Sequence, residues 1–123
     1  MRTKRPTLSL LAAALVALVA AACGTTTTVR TGGTLQVALN EYRITPQSVR
    51  AQTGLVTIFA HNYGRLTHDL VISENGQITA STKPIMPGQT EELDVALTPG
   101  HYLMASSILS DQALGAYGTL IVR

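Results

Sequence analysis

The chain has 123 residues, enough for one modest domain, with nine Lys or Arg against seven Asp or Glu and a formal charge of +2. Three of the basic residues, Arg2, Lys4 and Arg5, precede an apolar run; without them six basic side chains face seven acidic ones. That balance gives no electrostatic ground for nucleic-acid binding, and the single cysteine excludes an intrachain disulfide.

Residues 1–22 read as an export signal: a basic start, the apolar run Leu8 to Val19, then small residues up to Ala22. The apolar stretch falls short of the roughly 20 residues a membrane span needs. Leu18-Val19-Ala20-Ala21-Ala22-Cys23 resembles a bacterial lipobox, after which the Cys becomes the acylated first residue. The departure is Ala20, where Leu is usual. Lipidation of Cys23 would hold the protein at the extracytoplasmic face of a membrane; the plainer alternative is cleavage after Ala22 and a free thiol. Residues 23–33, rich in Thr and Gly, read as a flexible tether. The folded domain is expected over 34–123.

Leu35, Val37 and Leu39 alternate with polar or small neighbours and predict a half-buried strand. Ile44-Thr45-Pro46 and Val49 predict a second extended segment, placed at an edge by its Pro. Leu55 to Ala60 is a third, bounded by Gly54 and Asn62-Tyr63-Gly64. Leu70-Val71-Ile72 follows His68, and Asn75-Gly76 and Met86-Pro87-Gly88 mark turns. Leu93, Val95 and Leu97 alternate again, Pro99-Gly100 reverses the chain, Tyr102 and Met104 share a face, and Leu120 to Val122 closes the sequence. No segment after the signal sustains a helical period. About seven short strands with regular turn signals predict an all-β sandwich or barrel.

Several landmarks occur in a telling order: Tyr42-Arg43-Ile44-Thr45-Pro46, Gly54 to Ile58, Asn62-Tyr63-Gly64 before His68, Met86 to Thr90, Leu97 to Tyr102, and Gly115 to Val122. Over Leu35–Val122 the chain resembles the cupredoxins, the plastocyanin- and azurin-type blue-copper electron carriers. The resemblance implies a Greek-key β-sandwich with a metal site at one pole, beneath loops. In that family the loop before the last strand supplies a Cys, a His and usually a Met, and an upstream His completes the site. Here Ser106 stands at the Cys position, Asp111 at the second His position and Ala116 at the Met position; His68 keeps the upstream place.

A neutral hydroxyl does not replace a copper-bound thiolate, so the resemblance implies the frame without the type-1 copper centre. No cofactor is expected. The alternative is copper binding or handling by His68 with a non-standard ligand set. His68 and Asp111 are expected to meet at the pole, and such a pair could hold a hard or borderline divalent ion weakly, being short of the usual three or four ligands. Met104 is expected to fill core, His101 to be exposed at the far end, and His61 to face outward. Ser106, His68 and Asp111 also have the residue types of a catalytic triad, but nothing marks a nucleophile elbow or oxyanion hole, and no enzymatic activity is expected. Ile108, Leu109, Leu114 and Tyr117 crowd the same loop. They either form an apolar docking surface for a protein partner or, for Leu109 and Leu114, fold inward as a plug. The function implied is an exported, membrane-anchored binding or accessory module.

Overall fold

The computed structural model describes residues 25–123. The export signal and Cys23 lie outside the described residues. Ten strands form two sheets packed face to face. One carries β1 (Thr27–Val29), β4 (Ser48–Ala51), β10 (Tyr117–Val122), β9 (Gly100–Ala105), β6 (Val71–Glu74) and β7 (Gln77–Ser81), in that spatial order. The other carries β3 (Arg43–Thr45), β2 (Thr34–Asn40), β5 (Gly54–Asn62) and β8 (Thr90–Leu97). A single helical turn, α1 (Asp111–Leu114), interrupts the loop between β9 and β10.

The alternation read from the sequence sets which face of each strand is buried. Leu35, Val37 and Leu39 of β2, Val56, Ile58 and Ala60 of β5, and Val95 and Leu97 of β8 point inward. From the facing sheet come Val49, Ile72, Tyr102, Met104, Leu120 and Val122. Met104 is core, as expected, and fully buried. The two inner faces remove this apolar surface from water at roughly 25 cal/mol per Å², and packing of this kind fixes strand register, since a one-residue slip would turn every core side chain outward. Asn75, at φ 49°, and Gly76, at φ 78°, close the β6–β7 hairpin in the left-handed pair that such a two-residue turn requires.

Two expectations need correction. Residues 23–33 were expected to be tether, yet Thr27–Val29 pair in parallel with Val49–Ala51, and Val29 enters the core. Thr31 is tied to Gln52 and Thr53 through its N–H and hydroxyl. The domain therefore begins at Thr27: backbone pairing to an otherwise open sheet edge satisfies polar groups that a tether would leave to water. The Ile44–Val49 segment is two strands. β3 sits at the edge of the four-stranded sheet, and after Pro46 the chain crosses to the other sheet as β4. The total is ten strands rather than about seven.

Candidate functional site

β2 and β5 run parallel and end together, at Asn40 and Asn62, while β9 ends and β10 begins at the same pole of the sandwich. His68 lies there between β5 and β6. Its backbone N–H donates to the Ile85 carbonyl at 3.1 Å, and its carbonyl accepts from the Ile85 N–H at 2.6 Å, so the residue is fixed before its side chain makes any contact. The β9–β10 loop returns across the pole. The Ser106 N–H donates to the Ala116 carbonyl (3.0 Å) and the Ala116 N–H to the Asp111 carbonyl (2.9 Å), so these three positions are stitched together by the backbone. Gly115, at φ 123°, makes the tight return after α1; a Cβ there would stand 3.0 Å from the Tyr42 carbonyl oxygen.

The side chains of His68, Ser106 and Asp111 converge, and all three are buried. His68 Nδ1 lies 2.6 Å from Asp111 Oδ2, and the Ser106 hydroxyl donates to the same oxygen at 2.6 Å. The Asp69 N–H donates to Ser106 Oγ at 3.3 Å. Ala116 contributes a methyl group to the core. The carboxylate thus stands between hydroxyl and imidazole. A nucleophile–base–orienter chain places the imidazole in the middle, and this order does not activate Ser106.

Three participants were not foreseen. Glu41, at the β2–β3 turn, faces the other ring nitrogen: His68 Nε2 lies 3.1 Å from Glu41 Oε1. The same oxygen accepts the backbone N–H groups of Leu66 (2.6 Å) and Arg65 (2.7 Å). The Leu66 amide does most to hold the Glu41 carboxyl down, at about 2 against an ordinary 4.5; partial burial opposes it, and the Arg65 and Glu41 amides and then the His68 ring add to the lowering. Asn62, fully buried, donates to the carbonyls of Leu66 (2.7 Å) and Ile85 (2.8 Å) and accepts from the Gly64 N–H (2.8 Å), clipping the 63–67 loop to the pole. Asp69 accepts from the Ser107 N–H (2.6 Å) and hydroxyl (2.5 Å), which ties the start of the β9–β10 loop to the segment between His68 and β6.

The two carboxylates take opposite edges of one imidazole ring and so do not converge on a common point. Among the described residues there is no group of three or more His, Cys, Asp or Glu that could hold a metal ion. His101 is exposed at the far end of the sandwich, and His61, half-buried, bonds Thr90 Oγ1 at 2.6 Å and packs against Tyr63; neither joins the His68–Asp111 cluster.

The loop above this buried cluster is apolar and open. Leu109 is 98% exposed, and Leu114 and Tyr117 are exposed as well, while Ile108 is half-buried. The plug alternative for Leu109 and Leu114 is therefore corrected: hydrogen-bonded polar groups fill the pole instead, and the leucines point outward. A cavity of about 320 Å³ lies among Tyr42, Leu66, Ile108, Leu109 and Leu114, with Asp111 in its wall. Leu109 also holds φ at 48°, a left-handed backbone that costs an L-residue with a bulky side chain roughly 1–2 kcal/mol.

A two-sheet sandwich closed by this pole has the fold of the cupredoxins. The structure superposes on a reduced auracyanin of Roseiflexus castenholzii with a TM-score of 0.66 at 21% identity, covering 73% of this chain and 96% of that one. An azurin of Methylomonas sp. strain J gives a TM-score of 0.64 at 13% identity (73% and 97% covered), and a purple cupredoxin of Nitrosopumilus maritimus gives 0.57 at 17% (72% and 99%). At these identities the likeness is one of fold. The chain matches no protein-family model and no curated protein sequence.

Proposed function

We propose that this protein is an exported, lipid-anchored module that uses the cupredoxin frame for binding or accessory work, without a type-1 copper centre and without electron transfer. The observation that carries the proposal is the shared oxygen Asp111 Oδ2, with His68 Nδ1 and Ser106 Oγ each 2.6 Å away. Ligands of a tetrahedral ion bound at about 2.0–2.1 Å stand roughly 3.3 Å apart. The observed spacing is that of direct hydrogen bonds, with no room for a cation between the groups. The donor set also lacks what blue copper needs. Ser106 offers no thiolate, Asp111 puts a hard oxygen where a second imidazole belongs, and Ala116 has no donor. These residues do not fit the group, and the buried network takes its place as the structural element of the pole. The working face in this reading is the Ile108–Tyr117 loop, where side chains with high exposure surround an apolar cavity.

Copper titration of the detergent-solubilised full chain, with both oxidation states and with calorimetry and visible absorption as readouts, tests the proposal. Binding no tighter than that of a His68→Ala control is the expected result. Tight one-to-one binding lost with His68→Ala would make the protein a copper carrier with a rebuilt site.

A further inference from the structure

The place where the chain enters the fold says what the apolar pole faces. β10 leaves the pole at Tyr117; β4 runs parallel to it, and β1 runs parallel to β4, with Thr27 level with Val49 and Leu120. Traced backward from Thr27, the chain therefore heads toward the pole. Thr25 lies against the pole-proximal part of the other sheet, lining a cavity with Pro46, His61 and Tyr63. Cys23 follows after one further residue, a reach of at most about 7 Å from Thr25. A lipid on Cys23 would thus emerge beside the pole, with almost no tether to let the domain turn away. So short a link holds the pole against the bilayer at high effective concentration.

The pole is suited to that position. Leu109, Leu114, Leu66 and Met86 are exposed there, and Tyr42, Tyr63 and Tyr117 are exposed around them. Tyrosines place an apolar ring and a polar hydroxyl at the level of lipid headgroups, and leucines among them reach the acyl boundary. Charge does not oppose it: the carboxylates Glu41, Asp69 and Asp111 are matched in number by the exposed Arg65, Lys83 and Arg43.

The geometry points to the surface of the anchoring bilayer as the occupant of this pole, with Leu109 as its deepest side chain. The inference rests on the anchoring at Cys23 proposed above, and the experiment separates the two. The chain has no tryptophan, so Leu109→Trp, and Leu55→Trp at the opposite end, each install a single reporter; Leu55 is exposed too. Each full-length variant is produced in a bacterial host, its Cys23 acylation is read by mass spectrometry, and it is reconstituted into vesicles of phosphatidylcholine and phosphatidylglycerol in equal parts. Acyl chains carrying bromine serve as quencher. With Cys23 acylated, Leu109→Trp is expected to shift its emission to the blue and to be quenched at least about twofold, and Leu55→Trp to do neither. Acylated protein in which both reporters stay equally unquenched overturns the inference, leaves the anchoring standing and returns the pole to a protein partner. Absence of acylation at Cys23 overturns the anchoring, and the inference falls with it.

Discussion

At the scale of single residues, the pole is closed by hydrogen bonds, and the consequences are measurable. His68 is the centre of the network, and its removal leaves the buried Asp111 carboxylate with Ser106 as its remaining side-chain partner. Breaking a buried pair from one side is costly: His68→Ala should lower stability by about 3 kcal/mol in denaturant unfolding, with no metal added. Glu41 gives a pH signature. Its carboxyl is held at about 2 in the folded protein against an ordinary 4.5. A depressed folded-state value means stability that is fully present above 4.5 and is lost as pH falls from there toward 2. Glu41→Gln should flatten that part of the stability–pH curve; an unchanged slope between pH 4.5 and 2 would show that the Leu66 and Arg65 amides do not hold the carboxylate. Leu109 behaves in the opposite sense. Its side chain is 98% exposed and its backbone is left-handed, so Leu109→Gly should leave stability unchanged or raise it by up to about 1 kcal/mol in thermal unfolding.

At the scale of elements, the long alternating strands were readable and the short ones were not. β2, β5 and β8 each carry several inward apolar residues at period two, which is the signal a strand leaves in a sequence. β1 carries one, Val29, among threonines. Its pairing with β4 is made by backbone, and backbone bonds have no letter of their own. The switch of Ile44–Val49 from one sheet to the other was likewise hidden, since both halves look extended and a Pro marks only a break. The same limit applies to the site. His68, Ser106, Asp111 and Ala116 could be placed from the loop that frames them, but Glu41 meets His68 from 27 residues away through a turn whose aim depends on the whole sandwich. The outward direction of Leu109 and Leu114 was open for a related reason: a loop has no period from which to infer a face. Val29→Asp tests the corrected boundary. A tether would not register it, whereas a buried strand position should lose about 2–3 kcal/mol, a fall of several degrees in Tm for a domain this size.

At the scale of the whole molecule, the question is whether the frame of this pole could hold a metal if its side chains were donors. Asn62 and the Asp69–Ser107 pair brace the pole without touching the His68–Asp111 contact, and the Ile85 bridge fixes the His68 backbone. The brace is thus independent of what fills the centre. His68 presents Nδ1 to Asp111, and the Glu41 carboxylate steadies the ring from Nε2, as a carboxylate behind a metal-bound imidazole does. Replacing Ser106 by Cys and Asp111 by His removes the oxygen on which the present network closes and installs the thiolate and second imidazole. Ala116→Met adds the weak fourth ligand, at an overpacking cost of roughly 1–3 kcal/mol because Ala116 is buried in the core. The triple variant S106C/D111H/A116M should bind copper(II) one to one and show an intense visible thiolate-to-copper band, which the parent protein should lack. A colourless variant that still unfolds cooperatively would mean that the loop has lost the ligand geometry along with the ligands; a coloured one would place the whole difference between this protein and a blue-copper carrier in three side chains.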